Sequence, residues 1–386
     1  MSNVKNHGTT VSEIPLSRPD FDEAEARAVA EVLASGWVSQ GPRVARFEEV
    51  FAARVGARYG VATTSCTTAL HLALRLANIG PGDEVVCPSY SFIATANAIL
   101  YVGATPVFAD IDPDTWNIDP ADALTRVTPR TKAIIPVHQV GLAADLDRLL
   151  PLESRGITII EDAACATGSM YRDRPIGSSG HMACFSFHPR KTISLGEGGI
   201  LTMDDAALAD RARRLRSHGA SVSDHARHQA KGLVYEEYVE LGYNYRMTDV
   251  EAAIGLEQMR KLDGFLARRK QIARRYDEAF GPLQGVQVPA HPPYASHAYQ
   301  SYGIRLMPEC RADRDQVLRD LVALGISCRR GIPPIHLEPL YRDRFERVSL
   351  PVTEDVAARS IFLPIFSSLS GGDQQRVIDA VVGMTS

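Results

Sequence analysis

The chain has 386 residues, of which 45% are hydrophobic and 23% are charged, and its formal net charge is −4. This composition is typical of a globular protein with two domains or one large α/β domain, and it gives no basis for attraction to nucleic acid or to an anionic membrane. Charged residues and histidines interrupt every apolar run before it reaches the roughly 20 residues of a membrane span, and six scattered cysteines favour reduced thiols in a cytoplasmic protein over disulfides or a metal site.

Two helices precede the first predicted strand. Alanine, glutamate and valine recur with helical spacing over residues 19–35, and apolar residues lie three and four apart over 44–55. Between the two helices, residues 36–42 (GWVSQGP) are typical of a turn.

From residue 59, short β-branched runs alternate with helical patterns, which predicts a mostly parallel sheet covered by helices on both faces. No clear helix separates the last two runs, so we expect one antiparallel strand there. The seven predicted strands are residues 59–63, 84–87, 105–109, 132–137, 157–160, 183–187 and 200–203, and the helices between them are 67–77, 92–101, 119–127 and 142–150.

The second half of the chain predicts a long helix that leads to a smaller domain. Thr248 and Glu251 have the spacing of a capping box at the start of that helix. We therefore divide the chain into a large α/β domain, residues 13–255 with the N-terminal helical segment, and a smaller C-terminal α+β domain, residues 256–386. Within the smaller domain, strands are expected near 300–306 and 326–329, and helices near 313–324 and 372–382.

Lys191 follows the sixth predicted strand and precedes a glycine-rich turn, 196–199 (GEGG). Only six of the 42 lysines and arginines are lysines, so a lysine at this place is not generic positive charge. A desolvated lysine can lose its proton and attack a carbonyl group, whereas arginine cannot. We predict that Lys191 forms a Schiff base, although any one lysine taken alone is more often a solvated surface residue.

In parallel α/β sheets, ligands bind beyond the carboxyl ends of the strands. After the first strand, 64–68 (TSCTT) opens a helix whose free N–H groups suit either a phosphate or an ordinary N-cap. Phe92, after the second strand, can stack on a planar ring or fill the core. Glu161 and Asp162 end the fifth strand, where a buried carboxylate needs a cationic partner unless it caps a helix. Ser186, after the sixth strand, has a hydroxyl that could hold a phosphate.

A phosphate cradle, a stacking aromatic, a buried acid and a lysine at successive strand ends are what pyridoxal 5′-phosphate (PLP) requires. The acid keeps the pyridine nitrogen protonated, so that the ring accepts electrons, and the lysine holds the aldehyde as an imine. The residues therefore predict PLP as the cofactor and no metal.

The motifs resemble those of the DegT/DnrJ/StrS aminotransferases, PLP enzymes of the aspartate-aminotransferase fold, known as fold type I. This resemblance extends from residue 15 to about residue 381, and it implies a mostly parallel seven-stranded sheet between helices with a smaller C-terminal α+β domain. It is carried by residues 36–42 (GWVSQGP), 67–74 (TTALHLAL), 82–92 (GDEVVCPSYSF), 103–110 (GATPVFAD), 161–164 (EDAA), 185–191 (FSFHPRK), 196–199 (GEGG) and 242–249 (GYNYRMTD).

The resemblance assigns roles to individual residues. Lys191 matches the Schiff-base lysine of the family, Asp162 the carboxylate on the pyridine nitrogen, and Phe92 the aromatic that stacks on the ring. His188 and Glu197 match residues that line the same region and are candidates for substrate contacts.

The phosphate is expected to lie near Cys66, Thr67 and Ser186. Asn244 and Arg246 match the segment through which the neighbouring subunit reaches that phosphate. The resemblance therefore implies a homodimer with shared active sites.

Three positions depart from the pattern of many relatives. Cys66 stands where many have glycine in the phosphate turn, Cys165 where many have a glutamine that contacts the cofactor, and Thr167 where many have histidine. A thiol is a weak hydrogen-bond partner, so the contact to the ring hydroxyl that this position makes in those relatives is either lost or made by another residue. Cys165 stays among the expected cofactor-binding residues.

The implied function is a cytoplasmic transaminase that makes an amino-deoxysugar for a polysaccharide or an antibiotic. An amino donor, glutamate by family habit, leaves its amine on the cofactor as pyridoxamine phosphate, and a nucleotide-linked keto-deoxysugar accepts it. Substrate contacts are expected from the loops at 219–235 and 329–340. Two alternatives stay open: the same chemistry on a keto-cyclitol from aminoglycoside assembly, and a catalytically silent PLP-binding regulator, which the presence of both Lys191 and Asp162 disfavours.

Overall fold

The structure is a computed structural model, and it describes residues 13–222, 235–345 and 347–385. Helices and strands are numbered here in chain order. The helices are α1 (Glu23–Ser35), α2 (Pro42–Val55), α3 (Cys66–Leu76), α4 (Ala94–Tyr101), α5 (Pro120–Thr125), α6 (Ala206–Leu215), α7 (Asp249–Phe280), α8 (Arg314–Ala323), α9 (Pro339–Arg342), α10 (Pro351–Arg359) and α11 (Gly371–Thr385). The strands are β1 (Tyr59–Thr63), β2 (Glu84–Pro88), β3 (Thr105–Ala109), β4 (Thr131–Ile134), β5 (Thr158–Asp162), β6 (Met170–Tyr171), β7 (Arg174–Pro175), β8 (Met182–Ser186), β9 (Gly199–Met203), β10 (Val286–Gln287), β11 (Ala295–Ser296), β12 (Tyr302–Leu306), β13 (Arg329–Arg330) and β14 (Ser360–Leu363).

The central sheet has seven strands in the order β1-β9-β8-β5-β4-β2-β3. Strand β9 is antiparallel to both of its neighbours, and every other neighbouring pair is parallel. The predictions of seven strands and of one antiparallel strand next to the Lys191 loop are therefore confirmed. The parallel strands direct their carboxyl ends to one edge of the sheet, and that edge positions the candidate site.

Side chains at the helix starts explain where several helices begin. Ser65 and Thr68 form a capping box at α3, and Thr248 and Glu251 form the predicted one at α7. The carboxylate of Asp249 accepts hydrogen bonds from the backbone N–H groups at the start of α2. This contact joins two distant sequence motifs, residues 36–42 and 242–249.

The predicted helix at 142–150 is wrong. The structure has short 3₁₀ turns there, Leu146–Arg148 and Leu150–Arg155. The side-chain amide of Asn117 donates to the carbonyl oxygens of Leu142 and Ala143, at 3.2 and 3.1 Å, and so occupies acceptors that an α-helix needs. Pro151 lacks an N–H and also interrupts a helical ladder.

The C-terminal part of the chain builds a second, four-stranded antiparallel sheet in the order β10-β12-β14-β13. The second half of α7 contributes Ile272, Tyr276 and Phe280 to its core, whereas the first half packs with the large sheet. The smaller α+β domain is thus present, with β14 and α10 as elements that the sequence patterns missed. The boundary after residue 255 stays a proposal, because α7 is continuous across it.

Among the described residues, no helix is both long and apolar enough to cross a membrane. All six cysteines are free thiols. Part of the predicted substrate loop at 219–235, namely residues 223–234, lies outside the described residues.

Candidate active site

Lys191 lies in the connection between β8 and β9, in a turn that its own backbone closes. The N–H of Lys191 donates to the carbonyl of His188 at 2.8 Å, and Phe187 continues the β8–β9 ladder by donating to Gly198 at 3.0 Å. The Lys191 Nζ lies 3.1 Å from the Sγ of Cys165. Burial favours the neutral amine, but the neighbouring thiols and Asp162 favour the ammonium more, so the pKa of Lys191 is raised.

Asp162 is the last residue of β5, and its side chain is buried. One carboxylate oxygen accepts from the hydroxyl of Thr95 at 2.7 Å and the other from the N–H of Ala164 at 3.2 Å. Burial outweighs these two donors, so the pKa of Asp162 is raised. No lysine, arginine or histidine within the described ranges forms an ion pair with Asp162, so the carboxylate can take a further, cationic partner.

The turn before α3 presents backbone N–H groups beyond the end of β1. In the part of the chain that the structure describes, the N–H groups of Cys66 and Thr67 have no acceptor, as expected for the first turn of a helix. The thiol of Cys66 is buried and donates to the carbonyl of Cys184 at 3.4 Å, so its backbone N–H is the group left for a ligand. A Cβ on Gly199 would lie 2.3–2.4 Å from the Ser65–Cys66 peptide, so only glycine lets β9 pass this close to the turn.

Phe92 lies just before α4, and 73% of its surface is exposed. Its ring is therefore accessible to a planar ligand, whereas the core alternative is wrong for this side chain. The preceding residues are fixed by the loop predicted at 329–340: Ser89 Oγ lies 2.7 Å from His336 Nδ1, and the carbonyl of Ser89 accepts from Ile335 at 2.9 Å. This loop contributes one wall beside the segment that carries Phe92.

Asn244 lies in an extended segment that runs beside the end of α6. The N–H groups of Tyr243 and Tyr245 donate to Leu215 and Arg216, at 2.6 and 2.9 Å. The two tyrosine rings stack at 4.9 Å, whereas the intervening Asn244 is exposed. The side chain of Asn244 is thus directed away from the tyrosine pair.

The remaining predicted residues surround the Lys191 loop. Ser186, at the end of β8, accepts weakly from the N–H of His188 at 3.5 Å. His188 is half-buried, and burial lowers its pKa. Glu197 is exposed in the glycine-rich turn, and Arg246 is half-buried.

Two surface cavities lie elsewhere on the molecule, and neither is lined by Lys191 or Asp162. The larger, of about 580 Å³, lies between α1, α2 and α7. Its arginines are already neutralised: Arg43 pairs with Glu31 at 2.9 Å and Arg260 with Glu257 at 2.6 Å. The arginines of the larger cavity are therefore already occupied by carboxylates.

Sequence reasoning missed two residues that hold the site. Thr95 lies within the region of the second strand and following helix, but nothing in the sequence marked its hydroxyl as a donor to Asp162. Gln300 donates from Nε2 to the carbonyl of Arg190 at 2.6 Å, directly before Lys191. A contact across 110 residues has no local sequence signal.

The residues present fit PLP. Free N–H groups at the start of α3 suit a phosphate, and the Asp162 carboxylate suits a protonated ring nitrogen. The Lys191 amine suits an aldehyde once it has lost the proton that its surroundings favour. All of these groups lie at or beyond the carboxyl ends of β1, β5 and β8.

Comparison with known proteins agrees with this chemistry. A model of the DegT/DnrJ/EryC1/StrS aminotransferase family matches residues 19–382. The spore coat polysaccharide biosynthesis protein SpsC of Bacillus subtilis is 41% identical over 375 residues, covering 95% of this chain and 96% of SpsC.

Two solved structures are similar along nearly their whole length. Spr1654 from Streptococcus pneumoniae in its PLP-form has a TM-score of 0.89 at 29% identity, covering 97% of this chain and all of that one. The sugar aminotransferase CalS13 from Micromonospora echinospora has a TM-score of 0.87 at 29% identity, covering 96% and 99%. The predictions of fold type I, of PLP as cofactor and of an aminotransferase are thereby confirmed, and the silent regulator is set aside. The chain belongs to the DegT/DnrJ/EryC1/StrS family of PLP-dependent aminotransferases.

Proposed function

We propose that this enzyme transfers an amino group from L-glutamate to the keto group of a nucleotide-linked keto-deoxysugar, using a Schiff base at Lys191. The observation that carries the proposal is the presence, at one edge of the sheet, of both the Lys191 amine and the Asp162 carboxylate, which has no ion-pair partner among the described residues. The similarity to SpsC and to a sugar aminotransferase supports a sugar as acceptor.

Bound PLP supplies an aldehyde that takes up an amine and, when its ring nitrogen is protonated, a ring that accepts an electron pair. Asp162 holds that ring proton, because a buried carboxylate without a cationic partner is stabilised by one. The N–H groups of Cys66 and Thr67 and the hydroxyl of Ser186 would hold the phosphate, and Phe92 would cover the ring. These contacts fix the orientation of the bond that breaks.

Lys191 has two tasks in this proposal. Its amine would hold the cofactor covalently in the resting enzyme, and the same amine, when free, would serve as the general base and acid that moves a proton. His188 and Glu197, beside Lys191 in the chain, contact the substrate. The Cys165 thiol lies 3.1 Å from Nζ of Lys191.

The first test is whether Lys191 carries the cofactor. Borohydride reduction followed by peptide mapping should place the phosphopyridoxyl group on Lys191, and Lys191→Ala and Lys191→Arg should both be inactive, because arginine keeps the charge but cannot bind the aldehyde. Lys270→Ala, on the surface of α7, is the matched control. A phosphopyridoxyl group on any other lysine overturns the assignment.

The substrate is tested by the two half-reactions. Glutamate should convert the PLP-form to the pyridoxamine form, and a nucleotide-linked keto-deoxysugar should restore it. A keto-cyclitol that restores the PLP-form faster than any nucleotide sugar would move the enzyme to the alternative substrate class.

A homodimer with shared sites is part of the proposal. Asn244 and Arg246 reach the phosphate of the neighbouring subunit, which is consistent with the exposure of Asn244. A heterodimer of a Lys191→Ala chain and an Asn244→Ala chain, each inactive alone, then has one intact site and one doubly damaged site. Recovered turnover in doubly tagged heterodimer supports sharing, and no recovery refutes it. A cytoplasmic location is likewise proposed, from the six free thiols.

A further inference from the structure

Residues 297–301, between β11 and β12, form a buried segment directly behind the Lys191 loop. His297, Ala298, Tyr299 and Gln300 are all at least nine-tenths buried. Tyr299 adopts a φ of +51°, which is unfavourable for a residue with a Cβ, and its ring stacks on that of His297 at 4.1 Å. A strained backbone persists only where its surroundings determine it.

Gln300 connects this segment to Lys191. Its Nε2 donates to the carbonyl of Arg190 at 2.6 Å, and its Oε1 accepts from the hydroxyl of Ser301 at 3.1 Å. A backbone carbonyl can only accept, so the amide nitrogen and not the amide oxygen must face Arg190. The carbonyl that Gln300 holds belongs to the peptide unit that enters Lys191.

The side chain of Arg269, on α7, holds the backbone of Tyr299 and Gln300 in place. Its Nη1 donates to the carbonyls of Tyr299, Gln300 and Ile365, at 3.0, 3.1 and 3.3 Å. No carboxylate in the described residues pairs with this buried arginine, and burial lowers its pKa to about 10. The guanidinium is therefore still charged at neutral pH and is compensated by backbone carbonyls.

The same segment contacts the loop beside Cys165. The N–H of Ala298 donates to the carbonyl of Gly141 at 2.9 Å. Gly141 has a φ of +99°, and a Cβ there would lie 3.0 Å from the N atom of Gln300 and 3.2 Å from the carbonyl oxygen of Cys165. The segment 297–301 thus contacts the Lys191 loop through Gln300 and the turn at Gly141 through Ala298, and Gly141 lies against the backbone of Cys165.

From this geometry we infer that Gln300 is a positioning residue for Lys191, which aims the amine by holding the Arg190 carbonyl. The inference rests on the proposed function, because it requires Lys191 to be the residue that binds the cofactor. A long lysine side chain has many rotamers, and misplacing its backbone lowers the fraction of time that Nζ spends in the attacking geometry.

The test measures covalent attachment of PLP to the cofactor-free full-length protein, followed by absorbance and by borohydride trapping. Gln300→Met keeps the side-chain length and removes the donor, and attachment at Lys191 should slow by about tenfold, since one hydrogen bond on the reacting segment is lost. Gln287→Met is the matched control, since its amide also donates to another segment, at 2.9 Å to Asp114. The control should attach PLP at the wild-type rate.

A second variant separates positioning from a general loss of stability. Gln300→Glu cannot donate to a carbonyl while its carboxylate is ionised, but the protonated acid can. Its attachment rate relative to wild type should therefore rise as the pH falls, whereas that of Gln300→Met should stay low.

Wild-type rates in Gln300→Met, or no relative recovery in Gln300→Glu, overturn the inference. If wild-type protein itself is trapped on a different lysine, the proposed function fails instead, so the two failures are distinguishable.

Discussion

Glu161 and Asp162 are adjacent and buried at the end of β5, but the two carboxylates differ in their partners: Glu161 has histidines beside it, whereas Asp162 has a threonine hydroxyl and a backbone N–H. Glu161 accepts from Ser179 and, at 2.9 Å, from Nε2 of His138, and it lies 3.4 Å from His181. Burial raises the pKa of Glu161, but these partners outweigh it, and the pKa falls to about 2. Glu161 is thus ionised, and each of its two carboxylate oxygens has a hydrogen-bond donor.

The proton arrangement at His138 supports this conclusion. The N–H of Ala144 donates to Nδ1 of His138 at 3.0 Å, so Nδ1 is an acceptor and the proton lies on Nε2, which faces Glu161.

Asp162 points to the other face of the sheet, since side chains alternate along a strand. It has a hydroxyl and one backbone N–H as donors, and its pKa is raised by burial. This difference supports Glu161 as the structural carboxylate and Asp162 as the proposed partner of the cofactor. A buried acid whose donors are complete stabilises the structure, whereas one whose donors are incomplete can bind a cationic ligand.

The largest effect is expected at Asp162. Asp162→Asn should fold and still bind PLP, but the half-reaction with glutamate should slow by about 10³-fold, or about 4 kcal/mol, because an amide does not keep the ring nitrogen protonated. Stopped-flow absorbance measures this rate, and Asp343→Asn on the surface is the control. Near wild-type turnover in Asp162→Asn would instead make Glu161 the candidate.

Glu161→Gln should act on stability rather than chemistry. Breaking a buried charged network costs on the order of 3 kcal/mol of unfolding free energy, because the amide has no charge and offers one acceptor oxygen where the carboxylate offered two. Urea denaturation measures this loss, while the half-reaction rate of the folded, PLP-loaded variant should stay within about threefold of wild type. A Glu161→Gln variant that is as stable as the wild type but inactive would contradict this assignment and place Glu161 in the chemistry instead.

The two carboxylates should also respond oppositely to acid. The folded-state pKa of Glu161 is depressed, so its stabilisation is present above about pH 4.5 and is lost as the pH falls towards 2. The pKa of Asp162 is raised, so its protonation in the folded state favours folding as the pH falls.

In cofactor-free protein, the free energy of unfolding contributed by Glu161 should therefore be lost across this range. Urea denaturation at several pH values measures it. The decline should be shallower in Glu161→Gln and steeper in Asp162→Asn, and equal slopes in all three proteins would contradict the assignment.

The smallest expected effect comes from Thr95, whose hydroxyl donates to Asp162. Thr95→Val keeps the shape and removes the hydroxyl, which should slow the half-reaction by about fivefold, or about 1 kcal/mol. Thr353→Val is the control, because within the described ranges the buried Thr353 hydroxyl has no partner. An unchanged rate in Thr95→Val would show that Asp162 needs no positioning by this bond.

The sequence predicted much of this fold because the central strands are short apolar runs whose pattern is local. It could not distinguish Glu161 from Asp162 by burial, since both end the same strand, and only the family motif favoured Asp162. The partners that make the difference, His138 and Ser179, come from other segments of the chain. The wrong helix at 142–150 has a similar cause, namely a tertiary contact from Asn117 that overrides local propensity.

The sequence could mark Lys191 as a candidate because few residue types suit its proposed chemistry, but it could not mark the ordinary residues that support the candidate site. Thr95 and Gln300 are common residues whose roles depend on what lies opposite in space. Strand β14 was missed because its run, residues 360–363, is short and is followed directly by Pro364.

The turn before α3 is attached to the segment that carries Asn244. The N–H of Thr64 donates to the carbonyl of Tyr245 at 3.0 Å. In the proposed dimer, the turn serves a subunit's own phosphate while Asn244 serves the partner's. Phosphate bound at one site would then act through this hydrogen bond on the segment that completes the other site, and we expect PLP binding to depend sigmoidally on cofactor concentration.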